Sequence, residues 1–214
     1  MINWGEIEKM IDIDAVDCKV FKRDWRGLRI YIAKSDVIKV QLIDEKFETD
    51  RYFQDVKNEY EILRVIPSYI RVNKVIQFSE NDDIKILKLK RILGKEIIGK
   101  NISFFEAIYY TYQLIKIVFQ ISVHGIIHGD LAPNNFIVDK DKKIFLIDFG
   151  NARRDSFFKC LKYNFFIYNK FPDKLNYPLA GTIIRIFEYT LPDSIRSYYR
   201  KIFGMRPYVP PQSN

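Results

Sequence analysis

The feature that most constrains this 214-residue chain is a pair of polar segments near its middle, HGDLAPNN and IDFG. Asp130 and Asn135 lie five residues apart in the first segment, and Asp148 lies 18 residues after Asp130 in the second. β-Prone residues adjoin both segments, FIVD after the first and KIFL before the second, with the charged turn DKDKK between them. The pattern therefore predicts that carboxylate and carboxamide side chains meet on adjoining loops.

This set of side chains suits phosphoryl transfer. A transferred phosphoryl group passes through a charge-rich, in-line transition state, so the protein must supply metal ligands and an acceptor for the proton of the attacking hydroxyl. Hard oxygen ligands suit Mg²⁺, and a carboxylate and a carboxamide on adjoining loops can hold it without enclosing it.

These residues resemble the protein-kinase signature, in which an HRD-type catalytic loop ending in Asn precedes a DFG magnesium loop. The resemblance covers roughly residues 18–155. It implies that ATP is the phosphoryl donor, that Asp130 is the catalytic base, and that Asn135 and Asp148 bind Mg²⁺. His128, at the start of the loop, is expected to be a packed structural residue.

The first half of the chain is predicted to form three strands, a helix and two more strands. Three β-prone runs lie between residues 18 and 42, and an amphipathic segment over 47–66 ends at Pro67. The kinase resemblance requires a lysine on the third strand and a glutamate in the helix, and Lys39 and Glu59 occupy these places. By resemblance Lys39 contacts the ATP phosphates and pairs with Glu59, which also removes the cost of burying either charge alone.

The segment LKLKRILGKEI resembles the passage from strand to hinge in kinases. Leu89 then takes the gatekeeper position, and backbone groups from Lys90 to Ile92 bind adenine.

The predicted fold class is α+β, a two-lobed kinase-like fold. A strand-rich N-lobe covers residues 1–93, a reduced and mainly helical C-lobe covers 94–204, and 205–214 form a flexible tail. A long core helix is predicted in the C-lobe, because apolar residues recur there at helical spacing up to His124. These residues are Phe105, Ile108, Tyr112, Ile115 and Phe119.

The phosphate-binding turn departs from the kinase pattern. VFKRDWRGLRI has one glycine, Gly27, where typical kinases have several. Backbone N–H groups approach phosphates closely only where the residues are small and conformationally free. We therefore expect weak ATP binding unless Lys22, Arg23 or Arg26 compensates, with Arg26 or Arg23 lying over the triphosphate.

Two further departures concern the acceptor. Gly129 and Ala132 stand where protein kinases usually have arginine and lysine, which predicts constitutive activity, and no APE segment follows IDFG. The platform for a peptide substrate is therefore reduced. These features are similar to the lipopolysaccharide-core (heptose/Kdo) kinases, and that resemblance implies a sugar of a bacterial lipopolysaccharide as acceptor.

Composition favours a cytoplasmic protein. Cys18 and Cys160 are far apart and form no CxxC motif, which suits a reducing compartment. The N-terminus lacks the pattern of a signal peptide, and polar residues interrupt the apolar stretch 108–123, so neither export nor a membrane span is expected.

Of the net charge of +8, +7 lies in residues 151–214. The stretch IRSYYRKIFG mixes cations with aromatic residues, a composition that can lie on an anionic membrane surface at its inner face or near a phosphorylated glycolipid. The alternative is an ordinary C-lobe helix that packs its aromatic residues into the core. Nucleic acid is a poor candidate partner, because the cations form no compact base-reading motif.

Three functions stay open at this point. The leading one is a kinase with a sugar hydroxyl as acceptor, and the second is a small Ser/Thr protein kinase. The third is a pseudokinase, a binding module that keeps the fold without catalysis. The complete set of kinase residues favours an enzyme, whereas the degenerate phosphate turn favours the pseudokinase.

Overall fold

The computed structural model describes residues 19–23, 27–43, 55–97, 102–166 and 178–202, with Trp4, Ile7 and Lys9. An N-lobe built on one antiparallel sheet precedes a C-lobe that consists mainly of helices, as predicted. The boundaries assigned to the lobes and to the tail stay predictions.

The N-lobe sheet has five strands in the order β1-β2-β3-β5-β4, and every neighbouring pair is antiparallel. Among the described residues, helix α1 lies between β3 and β4, in agreement with the predicted order of elements. The elements are β1 (Lys19–Arg23), β2 (Leu28–Ile32), β3 (Asp36–Leu42), α1 (Val56–Leu63), β4 (Val75–Glu80) and β5 (Ile84–Lys90).

Strand β3 is buried on both faces, so its alternation decides which side chains reach the cleft. Ile38 and Val40 join a small apolar cluster with Ile7 on one face. Lys39 and Gln41 point to the other face, where Gln41 accepts a 3.0 Å hydrogen bond from the backbone N–H of Val56. Gln41, two residues after Lys39 on β3, therefore holds the first residue of α1 in place.

Helix α1 ends earlier than predicted. Asp55 caps its first turn by accepting from the N–H of Lys57, but the helix stops at Leu63 rather than at Pro67. The cause is a tighter turn over the next residues, in which the N–H of Ile66 bonds the carbonyl of Leu63, three residues back. Residues 44–54, which include part of the predicted helix, lie outside the described residues.

The C-lobe is built around one long helix, α2. Two small sheets, ordered β6-β8-β9 and β10-β7, contain the strands that flank the two polar loops. The elements are β6 (Gly94–Glu96), α2 (Phe104–Val123), β7 (Ile126–Ile127), β8 (Phe136–Asp139), β9 (Ile144–Leu146), β10 (Arg153–Arg154), α3 (Phe157–Phe165), α4 (Leu179–Glu188) and α5 (Asp193–Ile202).

The predicted orientation of α2 is wrong. The buried side of this helix includes Ala107, Leu114, Val118 and Ile121. The residues named from the sequence as core positions lie on the opposite side and are exposed, with Phe105 at 83% and Tyr112 at 63%. The helix is apolar on both sides, so the spacing alone identifies two possible core faces.

The basic helix α5 packs one side against α4. Tyr199 donates to the carbonyl of Ile184, and Arg200 pairs with the buried Glu188. The opposite side leaves Tyr198 and Ile202 exposed, so this helix only partly matches the predicted packing of aromatic residues into the core. Among the described helices, none combines the length and apolarity needed to cross a bilayer.

Candidate active site

Lys39 lies at the centre of a buried ion-pair network. Its Nζ is 2.7 Å from Oε2 of Glu59 on α1 and 2.7 Å from Oδ1 of Asp148 in the loop after β9. Lys39 and Glu59 are 6% and 1% exposed. The structure therefore brings three of the residues named from the sequence into direct contact across the two lobes.

The charges of this network depend on one another. Burial lowers the pKa of Lys39, but the carboxylates of Asp148 and Glu59 outweigh burial and raise it above its ordinary value. Burial raises the pKa of Glu59, against the opposing effect of Lys39. The Lys39 ammonium thus favours the charged form of this buried carboxylate.

The loop at Asp148 has an uncommon backbone conformation. Asp148 has φ 65° and ψ 71°, the left-handed region that costs a non-glycine residue roughly 1–3 kcal/mol. Two hydrogen bonds from α1 hold the turn that follows it: the Phe149 N–H donates to Oε1 of Glu59, and the Asn58 amide donates to the carbonyl of Ala152. Helix α1 therefore fixes both Lys39 and the loop that contains Asp148.

The catalytic loop is closed by Asn135. Its side-chain N–H group donates to the backbone carbonyl of Asp130 at 2.9 Å and to the Asp130 carboxylate at 3.0 Å. Asn135 is 3% exposed, and its own carbonyl accepts from the N–H of Ile147, next to Asp148. The two polar segments found in the sequence are therefore linked through the backbone of Asn135.

His128 is a packed structural residue, as predicted. It is fully buried, and its ring lies edge-on to Phe149 with centroids 4.6 Å apart. Its Nε2 donates to the carbonyl of Ile147, and its Nδ1 accepts from the N–H of Asp130. Because burial lowers the pKa of His128 to about 4, the ring is neutral at pH 7 and can both donate and accept.

Gly129 is required by close backbone contact. Its φ is +83°, and a Cβ at this position would lie 2.5 Å from the backbone oxygen of Asn151 in the turn after Asp148. The arginine that typical kinases carry here would collide with that turn. The tight packing of the two loops therefore requires glycine at this position. The same residue also removes the arginine on which a phosphate could dock.

Two buried polar side chains hold the catalytic loop in place, and the sequence analysis did not identify them. Asn164 on α3, fully buried, accepts from the N–H of His128 and donates to the carbonyl of Ile126. Thr182 on α4, also fully buried, donates its hydroxyl to the carbonyl of Leu131. Their partners are backbone atoms far away in the sequence, so no spacing pattern indicated them.

The proposed adenine site lies at the end of β5. Leu89 is 2% exposed and pairs with Val37 on β3. After it, the N–H of Lys90 donates to the carbonyl of Lys74, and the carbonyl of Lys90 accepts a 3.4 Å bond from Asn73. Ile92 follows in irregular backbone. The assignment of Leu89, Lys90 and Ile92 to adenine binding stays a prediction.

Gly27 lies beside the far end of β3. Its φ is +75°, and its carbonyl accepts from the N–H of Leu42, three residues beyond Lys39. This places Gly27, just before β2, next to the end of the strand that carries Lys39. Arg26 and the side chains of Lys22 and Arg23 lie outside the described residues, so their predicted part in phosphate binding stays a prediction.

The donor set around Asp148 fits Mg²⁺. Among the described residues, no group of three or more His, Cys, Asp or Glu side chains forms a metal site of its own. Magnesium differs from metals that need such clusters, because one or two carboxylates suffice when phosphates and water complete its shell. Asp148 and the side-chain oxygen of Asn135 are suitable protein ligands.

The segment after the metal loop is short. Residues 153–154 pair with β7, and α3 begins at Phe157 and packs on α2. The described residues between Asp148 and α3 therefore include no extended peptide-binding segment. Residues 167–177 lie outside the description.

Comparison with known proteins agrees with this geometry. The model of the ABC1 atypical kinase-like domain matches residues 66–170. A crystal structure of WbdD superposes with a TM-score of 0.52 and 16% identity, over 88% of this chain and 42% of that one. A second structure, of the bifunctional kinase-methyltransferase WbdD, gives 0.50 over 84% and 39%. The chain thus has a protein-kinase-like fold.

The curated relatives are protein kinases. Serine/threonine-protein kinase 1 of African swine fever virus (isolate Tick/South Africa/Pretoriuskop Pr4/1996) is 34% identical over 103 residues, which are 45% of this chain and 35% of the relative. Dual specificity protein kinase zak2 of Dictyostelium discoideum is 28% identical over 149 residues, 70% of this chain and 22% of the relative. The chain thus spans about a third or less of the length of these relatives. The kinase-like fold implies ATP binding.

Proposed function

We propose that this protein is an active kinase that transfers the γ-phosphoryl group of Mg-ATP to a hydroxyl acceptor. The main support for the proposal is that contacts connect two groups of site residues, one around Lys39 and the other around Asp130. Lys39 contacts Glu59 and Asp148, and Asn135 links the Asp130 carboxylate to the backbone beside Asp148. A pseudokinase has no need to keep all five residues in these two connected groups.

The chemistry follows from these positions. Lys39 would bind the α- and β-phosphates, while Glu59 holds its ammonium in place. The acceptor oxygen would attack the γ-phosphorus as its proton passes to the Asp130 carboxylate, and the bond to the β-phosphate oxygen breaks to release ADP. Mg²⁺ held by Asp148 and Asn135 would neutralise the charge that develops on the phosphate oxygens.

For the acceptor we propose a sugar hydroxyl of a bacterial lipopolysaccharide core. The support is the short segment between Asp148 and α3, which offers no peptide platform among the described residues, together with the Gly129 loop variant. Such an acceptor would place the enzyme in the cytoplasm, at the inner face of the membrane, where the basic helix α5 could meet anionic lipid. A protein hydroxyl is the second candidate, because the relatives reported above are named as protein kinases.

A phosphate-transfer assay separates these acceptors. Purified protein is incubated with Mg²⁺ and γ-labelled ATP, in parallel with lipopolysaccharide and with a total protein extract, and Asp130→Asn serves as the matched control. Label in the glycolipid that is absent with the variant supports the sugar kinase. Label in a protein band instead supports the protein kinase. Absence of transfer to both, with ATP still bound, would overturn the enzyme proposal in favour of a pseudokinase.

A further inference from the structure

One side of α2 presents a continuous apolar surface to solvent. We call it the α2 outer face. Each of its side chains is between 42% and 83% exposed. It consists of Phe105, Ile108, Tyr109, Tyr112, Ile115, Phe119 and Val123. At its C-terminal end Phe119 packs edge-on against Phe157, and the adjacent Phe158 is 81% exposed, so the surface continues onto α3.

The size of this face is that of a protein–protein interface. With roughly 200 Å² for each complete side chain and about half of it exposed, the seven residues present on the order of 700 Å². Single soluble proteins rarely expose apolar patches larger than a few hundred Å², whereas a standard interface buries about 800 Å² on each partner. The face is therefore large enough to bind another protein stably.

The charges beside the face are positive. A groove of about 260 Å³ runs along one edge, and its lining includes Arg71, Lys116 and three tyrosines but no acidic residue. Within the described part of the chain, neither Arg71 nor Lys116 forms an ion pair; Arg71 bonds the amide of Gln113. The single acidic residue of α2, Glu106, is occupied by Lys142 at 2.9 Å. The edge thus offers two cations to carboxylates from outside.

We propose that the α2 outer face binds an amphipathic helix of a partner protein. The apolar side of that helix would lie along α2, and carboxylates at its edge would pair with Arg71 and Lys116. A straight 20-residue helix is about 30 Å long and can accept a second helix lengthwise at 8–10 Å by interlocking side-chain ridges. The charge of the groove selects an acidic partner.

A second copy of this chain fits the face less well. In a two-fold pair of antiparallel α2 helices, Lys116 near the middle of the helix would lie close to its own copy. The face has no carboxylate with which to offset that repulsion. A bilayer surface is also less suitable, because it is flat and cannot fill the groove beside Tyr112.

The test uses the complete chain and two designed peptides. The first is an 18-residue helix-stabilised peptide with leucines along one side and glutamates along both edges, and the second carries lysines in place of the glutamates. In fluorescence anisotropy at low salt, the acidic peptide should bind at least tenfold more tightly. Tyr112→Asp should weaken its binding at least tenfold, and Lys116→Glu should reverse the preference between the peptides. Ile76→Asp, at a half-exposed apolar residue of β4, is the matched control and should change nothing.

Three results would overturn the proposal. The first is equal binding, or no binding, of the two peptides. The second is self-association in light scattering that Tyr112→Asp abolishes, which would assign the face to a second copy. The third is co-sedimentation with phosphatidylserine vesicles that the same variant abolishes, which would assign it to a membrane surface. The substituted positions are exposed and lie outside the candidate active site, so the folded state and ATP binding should persist in each variant.

Discussion

A methyl group at Gly129 should destabilise the protein strongly. Gly129→Ala places a Cβ 2.5 Å from the Asn151 oxygen, in a residue with φ +83°. The left-handed conformation costs alanine about 1–2 kcal/mol, and forcing apart two packed loops adds about 1–3 kcal/mol. The sum is roughly 2–5 kcal/mol, which for a chain of this size lowers Tm by about 4–20 °C. Gly129→Arg, which introduces the residue typical of kinases, should cost at least as much.

Thermal melts followed by circular dichroism test this reasoning, with Gly181→Ala as control. Gly181 lies inside α4, so the same chemical change should there be neutral or stabilising, by up to about 1 kcal/mol. Opposite signs for the two variants would support the structural cause proposed for the glycine in the catalytic loop. A Gly129→Ala protein that melts within about 2 °C of the unmodified chain would refute it.

Three further predictions concern the site. Asp148→Asn should lower kcat at least about 100-fold and remove the Mg²⁺-dependent part of the Tm increase caused by ATP, and normal turnover would contradict the metal assignment. Glu59→Gln weakens a charge-assisted hydrogen bond worth about 1.5–3 kcal/mol, so kcat/KM should fall roughly 10–150-fold. Tm should change little, because burial already penalises the charged carboxylate. A large loss of Tm with kcat/KM unchanged would contradict this role. Because the pKa of His128 falls from 6.5 to about 4 on folding, the unfolded chain takes up the proton first as pH decreases. Stability should therefore decline between pH 6.5 and 4 by up to about 1.4 kcal/mol per pH unit, and His128→Gln should flatten that part of the curve of Tm against pH. An unchanged slope in this variant would show that other groups control the acid limb.

The contact of Lys39 with Glu59 was predictable because two simple periodicities determine it. Alternation along β3 directs Lys39 to the side of α1, and the helical repeat places Glu59 near the buried Ile62 and Leu63. Each charge would be costly to bury alone, so their joint occurrence on inward-facing positions is informative.

The anchors of the catalytic loop could not be predicted in this way. Asn164 bonds a backbone N–H 36 residues away, and Thr182 bonds a carbonyl 51 residues away. Any polar side chain can satisfy a backbone group, so the sequence contains no matching partner to search for. The same holds for Gly129, whose neighbour at Asn151 becomes known only when both loops are placed.

The wrong orientation predicted for α2 and the proposed docking face have the same physical cause. Only Glu106 and Lys116 are charged among its 20 residues, so the helix has the composition of one that is covered on all sides. In the described part of the C-lobe, α3, α4 and the small strands contact α2, and on the outer face Phe157 of α3 packs against Phe119 at its C-terminal end. The outer face keeps the apolar character of a core, yet among the described residues its side chains stay 42–83% exposed. Because both sides of α2 are apolar, the sequence alone cannot show which side packs into the core of this chain. A partner helix bound to the other side would account for that composition.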